Sequence, residues 1–200
     1  MSVGDAWDRI EAWLKEHARS VRKSLRPGAK PEAVAKLEAA LGVSLPADFA
    51  ASVARHNGQA EEAESGLFPH TDVLGPEPAW RLLSLAEIKS FWKLMKELVD
   101  AGEFAGRPST PPAGVRSDWW CPGWVPVADN GGGDAVCLDL SPAEGGRVGQ
   151  VLLFAHDAPD RPLLAESFGA WLTRLAENLE AGRYVYDSDE GLIEPDGEDE

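Results

Sequence analysis

The chain has 200 residues, 44% of them hydrophobic, and a formal net charge of -15. That length and apolar content suit one well-packed domain, and the acidity repels phosphate backbones, which excludes general nucleic-acid binding. Cys121 and Cys137 lie outside any CxxC pair, so neither a disulfide framework nor a zinc site is expected, and the longest apolar run, residues 151–155, is too short to cross a bilayer. In chain order, the first element is a helix. Trp7, Ile10, Leu14, His17, Val21 and Leu25 recur every three or four residues, and Pro27-Gly28 ends the run. Arg9, Lys15, Glu16, Arg19, Arg22 and Lys23 fall off that seam and form a largely basic face, which can grip an acidic ligand but reads first as a solvated helix face. The segment has neither the basic start nor the apolar stretch of a signal peptide, which points to the cytoplasm.

Pro31 suits the first turn of a second helix, with Val34, Leu37 and Leu41 as its buried stripe and Gly42 as its cap. Pro46 starts a third, short helix that stops at the turn signal His56-Asn57-Gly58. Glu61, Glu62 and Glu64 then mark a surface loop, and residues 66–68 and 80–83 read as short strands. Ser84 and Glu87 have capping-box spacing for a helix to about Val99, with Leu85, Ile88, Trp92 and Met95 on its apolar face. Six glycines and prolines make residues 100–117 a long, mobile loop.

A sheet follows. Its first strand covers residues 124–128, and Pro126, which lacks an amide hydrogen, marks it as an edge or as starting near the proline. The second strand runs over 134–140, and the third over 149–155, apolar at nearly every position as a strand covered on both faces would be. Ser167 caps a last helix in which Phe168, Trp171, Leu172, Leu175 and Leu179 pack inward, and Gly182 ends it. Tyr184-Val185-Tyr186 adds a strand. Residues 187–200 hold eight acidic groups and no basic ones, and read as a disordered tail behind a single domain of residues 1–186.

The search for chemistry returns little. Residues 129–134 read Asp-Asn-Gly-Gly-Gly-Asp, but no Lys-Ser/Thr follows as in a phosphate loop. Val136 stands where a dinucleotide fingerprint needs its third glycine, and Leu140 stands where an EF-hand needs glutamate. The segment is a hairpin turn. His17, His56, His70 and His156 have no metal-site spacing, and there is neither a GxSxG elbow nor an HExxH helix. No catalytic residue, metal or cofactor is expected. Asp129, Asp134, Asp139 and Asp157 can converge at one end of the sheet, and Asp139, on an apolar strand, needs a partner and reads as structural. Of the adjacent Trp119 and Trp120, either one is exposed as an interface anchor or both cover the sheet edge.

The order of these pieces resembles the SUKH superfamily, which contains the fungal cell-wall-assembly regulator and many bacterial relatives. The resemblance rests on Leu45-Pro46-Ala47-Asp48-Phe49, His56-Asn57-Gly58, Gly66-Leu67-Phe68 and Leu82-Leu83-Ser84-Leu85. It continues through WVPVADNGGGDAVCLDL at 124–140, His156-Asp157, Ser167-Phe168 and Trp171-Leu172. It implies an α+β fold, a mixed or mainly antiparallel sheet with helices packed against it, and no catalysis. The leading expectation is an immunity-type protein that neutralises a toxin by direct binding, its acidic surface suiting a basic toxin. A regulator or scaffold of the cell-wall-assembly type is the alternative, and an unrecognised enzyme or metal-binding protein using the sheet-end aspartates is the third. Asp129, Asn130, Asp134, His156 and Asp157, with Trp119 or Trp120 as anchor, are the expected partner contacts, and neither nucleic acid nor membrane is an expected partner.

Overall fold

The computed structural model describes residues 1–63, 65–69, 71, 73–74 and 80–195. Glu64, His70 and the end of the acidic tail, 196–200, lie outside the described residues. Helix α1 spans Val3–His17 and opens on a capping box between Ser2 and Asp5. Its apolar seam buries Trp7, Ile10 and Leu14, and the Trp7 indole donates to Ser52 Oγ at 2.9 Å. The helix does not run on to residue 25. Ala18 leaves helical geometry at φ -140°, and a short α2, Arg19–Ser24, follows. Ala18 and Val21 carry the buried stripe onward, whereas His17 is exposed.

Strand β1, Leu25–Pro27, comes next. Helix α3, Pro31–Leu41, has its proline in the first turn and ends on Gly42 at φ 69°. Helix α4, Ala47–Arg55, runs directly into strand β2, His56–Gln59, which pairs antiparallel with β1. The turn expected at 56–58 is therefore a strand.

The main sheet has five strands in the order β3-β4-β5-β6-β7, and every pair is antiparallel. They are β3 Arg81–Leu82, β4 Trp124–Asp129, β5 Ala135–Asp139, β6 Gln150–Phe154 and β7 Leu163–Ala165. Helix α5, Leu85–Asp100, leaves β3 through the Ser84–Glu87 capping box. Helix α6, Phe168–Glu180, follows β7 with Ser167 Oγ accepting from the Ala170 amide. The fold is α+β with a mainly antiparallel sheet. Strand β4 is interior, not an edge, but it begins at Trp124, close to Pro126, as the other reading of that proline has it. Strand β3 pairs only with Asp129 and Ala128, so Pro126 lies beyond its reach, beside a register shift, where no amide hydrogen is required.

Residues between α5 and β4 are irregular, as their glycines and prolines predict, but they are fastened. Ser109 Oγ donates to the Asp118 carbonyl at 2.8 Å, and Gln150 Nε2 donates to the Gly114 carbonyl at 3.0 Å. The acidic C-terminal segment also departs from expectation. Strands β8, Val185–Asp187, and β9, Gly191–Ile193, form a hairpin that buries Leu192, replacing the disorder read from the charge over residues 187–193.

Candidate functional site

The β4–β5 turn is a hydrogen-bonded unit. Asn130 Oδ1 accepts from the amides of Gly132 at 2.9 Å and Asp134 at 3.2 Å, and Asn130 Nδ2 donates to Asp134 Oδ2 at 2.9 Å. The positive φ angles fall on Gly131, 71°, and Gly133, 109°, and not on Asn130. These are positions only glycine occupies without strain. The same turn captures the residue after β6: Asp134 Oδ1 accepts from the His156 amide at 2.8 Å and faces its Nδ1 at 2.7 Å. That contact puts the proton on Nδ1, since a carboxylate can only accept. A Cβ on Gly133 would stand 3.2 Å from the imidazole, so the third glycine also makes room for the ring.

Burial raises the Asp134 carboxyl, but the bonds from His156 and Asn130 outweigh it and hold the group below its ordinary value. Asp157 completes a trio with Asp134 and His156 whose ligand-type atoms lie within 4.8 Å of one another. Both Asp134 oxygens are already engaged, so hydrogen bonding accounts for Asp134 and His156 as a latch, with Asp157 exposed beside it.

The other two aspartates do not join it. Asp129 turns toward Arg81 Nη2 at 3.4 Å, and burial pushes its carboxyl up against that cation. Asp139 is fully buried, accepts from Gln150 Nε2 at 2.9 Å and the Ser141 amide at 3.0 Å, and is also raised by burial. The partner that an apolar strand demanded for Asp139 is Gln150.

Neither tryptophan is exposed. Trp119 and Trp120 are 7% and 3% accessible, so neither is an open anchor, and Trp120 lies over the face of the sheet, against Trp124 of β4 and Phe154 of β6, not over an edge. The Arg107 guanidinium lies 3.8 Å above the Trp119 ring, and Trp120 packs edge-on against Phe154 at 4.8 Å. Beneath them is Arg161, fully buried with no carboxylate partner among the described residues; it donates to the carbonyls of Ala158, Asp160 and Trp119. A cavity of about 360 Å³ lies between Phe68, Leu164, Trp171 and Tyr184, with Phe68 stacked on Trp171 at 4.0 Å. The sequence places Trp171 on a helix stripe and Phe68 and Tyr184 on short strands, and their distance apart in the chain gives no signal of a hollow.

Sequence comparison supplies the remaining constraint. The model of the SMI1 / KNR4 family (SUKH-1) matches residues 28–174. The chain is 28% identical over 96% of its length to the cell wall biosynthesis/cell cycle regulator smi1 of Schizosaccharomyces pombe, covering 39% of that protein. It is 27% identical over 96% of its length to the cell wall assembly regulator SMI1 of Saccharomyces cerevisiae, covering 44%. With the glucan synthesis regulatory protein of Neurospora crassa it shares 25% identity over 94% of its length, covering 40%. The chain thus spans about two fifths of the length of these relatives, whose names all denote regulators. With its family model matched across the five-stranded sheet and into α6, the chain belongs to the SMI1/KNR4 (SUKH-1) family.

Proposed function

We propose that the protein is a non-catalytic regulatory domain that works by binding another protein, in the manner of a cell-wall-assembly regulator. The family match over residues 28–174, with relatives named as regulators, carries this reading. It favours the scaffold alternative over the toxin-neutralising role that the acidic charge first suggested. We take the latched turn as the contact surface. Asn130, Asp134, His156 and Asp157 are held by the ends of β4, β5 and β6, so they present a rigid patch with little ordering entropy left to lose on binding. Asp129 sits at the patch's root, and Trp119 and Trp120 lie within the core instead of at the interface. The two buried, unpaired thiols suit a reducing, cytoplasmic setting.

The test is genetic. Deleting the coding sequence should sensitise growth to a cell-wall-perturbing dye, and re-expressing the chain should restore it. The double substitution His156→Ala with Asp157→Ala, at two exposed positions, should leave the fold intact and fail to restore growth. Normal growth of the deletion strain, together with protection against a co-expressed toxin, would return the immunity reading to first place.

A further inference from the structure

The chain reverses its charge over one short stretch. Residues 15–30 hold six basic groups, Lys15, Arg19, Arg22, Lys23, Arg26 and Lys30, against Glu16 alone. The other 184 residues hold thirteen basic and thirty-three acidic groups. The helix break at Ala18 gives this stretch its shape, because α2 and β1 follow as separate short elements. All six cations except Arg26 are exposed. Lys15 pairs, among the described residues, only with its neighbour Glu16, at 3.9 Å, and Arg26 reaches Glu87 at 4.0 Å. Among the described residues, Arg19, Arg22, Lys23 and Lys30 make no ion pair.

Two neighbouring features say what such a surface fits. Ala29 and Pro31, on either side of Lys30, line a notch of about 220 Å³ between α3 and α4, walled by Val34, Ala50 and Ala54 and by Glu38, whose Oε1 accepts from the Leu45 amide at 2.8 Å. Its size suits one aliphatic side chain. On the opposite flank, Tyr186 bonds Ser20 across 2.7 Å. This anchors the C-terminal hairpin beside α2, and the residues that follow Tyr186 in that hairpin include Asp187, Asp189 and Glu190.

We infer that residues 15–30 form a docking surface for an acidic protein segment carrying an apolar side chain, and that the chain's own acidic hairpin competes for it. The charge favours a short peptide over a long polyanion. At physiological salt a charge is felt over about 8 Å, so a short segment seated on the basic stretch is screened from most of the acidic surface beyond it. A nucleic acid or a membrane would also meet the surrounding acidic surface and be repelled. This surface is distinct from the latched turn and does not depend on its role.

The experiment uses the full chain and a fluorescein-labelled peptide of eight glutamates with a central leucine. Anisotropy should report binding that weakens steeply between 50 and 200 mM salt, as expected for paired charges on the order of those exposed here. Arg22→Glu with Lys23→Glu should weaken it about tenfold or more, as two like-charge contacts replace two attractive ones, with circular dichroism unchanged. Replacing the peptide's leucine by glycine should also weaken binding, and Asp189→Asn with Glu190→Gln should tighten it. No binding at low salt, equal affinity in the Arg22/Lys23 variant, or tighter binding of an oligonucleotide or phosphatidylserine vesicles would overturn the docking surface. Equal affinity for the glycine peptide would overturn the notch's part in it, and equal affinity in the Asp189/Glu190 variant would overturn the competition.

Discussion

Asp134 and Arg161 illustrate opposite ways of handling a polar group away from water. The Asp134 carboxylate has its negative charge answered by donors, so its folded pKa lies below the unfolded value near 3.8. A depressed carboxylate contributes stability above the unfolded pKa and loses it as pH falls through the folded pKa. Asp134→Asn should therefore cost about 1–2 kcal/mol at neutral pH, the usual worth of charge-assisted bonds. The gap from wild type should begin to narrow below about pH 4, where the unfolded carboxyl protonates, and urea melts at pH 7 and at a series of values below pH 4 measure it. Asp139 has the reverse sign, since burial raises its pKa and its contribution is lost as pH rises through that value. Arg161 is pushed down to about 10 by burial, yet three carbonyls depend on it. Arg161→Ala should cost about 3 kcal/mol or more, because those acceptors stay buried without donors. Arg161→Lys should recover little, as one ammonium cannot reproduce the planar fork. Of these residue-scale features, the need of Asp139 for a partner was legible from an acid on an apolar strand. The burial of Arg161 was not, because its partners are backbone carbonyls brought in by the loop.

Helices were more legible than strands, for a physical reason. Helices α3, α5 and α6 announce themselves through local chemistry: a proline in the first turn, a Ser–Glu box, a serine cap and a terminal glycine. Strands β1, β2, β3 and β7 have two to four residues each, too few for alternation to register. Strand β2 was hidden twice over, since His56-Asn57-Gly58 has the composition of a turn. Gly58 does take a positive φ, 79°, but it serves a close approach, and a Cβ there would stand 2.3 Å from the Ser84 amide nitrogen. Asn57 meanwhile accepts from the Leu85 amide at 2.9 Å, so β2 is pinned to the start of α5. Gly58→Ala should destabilise by about 3 kcal/mol, from an unfavourable φ combined with a clash against backbone that cannot yield. Denaturation midpoints with an unchanged slope would measure this, and a cost under about 1 kcal/mol would mean that the two segments separate easily. The break at Ala18 carries no local signal at all, because alanine is the best helix former; packing imposes it.

At the scale of the whole molecule, composition identified the charge and its concentration at the C-terminus but misjudged what that segment does. Eight acids in residues 187–200 argue for disorder, yet between them sit Leu192 and Ile193, and Leu192 is 1% accessible. Two effects oppose each other if the chain is cut after Tyr186. Removing eight negative charges from a chain of net charge -15 relieves self-repulsion, but among the described residues Asp189, Glu190 and Glu194 are exposed, and 0.15 M salt screens exposed charges beyond about 8 Å. Losing Leu192 exposes apolar surface worth about 2 kcal/mol, the ordinary value for one buried leucine, and strips the hairpin from Tyr186, whose hydroxyl holds Ser20. Burial wins. A chain ending at Tyr186 should be less stable than the full chain by about 2 kcal/mol, whereas one ending at Pro195 should match it. Leu192→Ala in the full chain should reproduce most of the loss without altering the charge. The three urea curves separate the terms: if the chain ending at Tyr186 proves more stable than wild type, repulsion outweighs burial and the hairpin contributes nothing to the core.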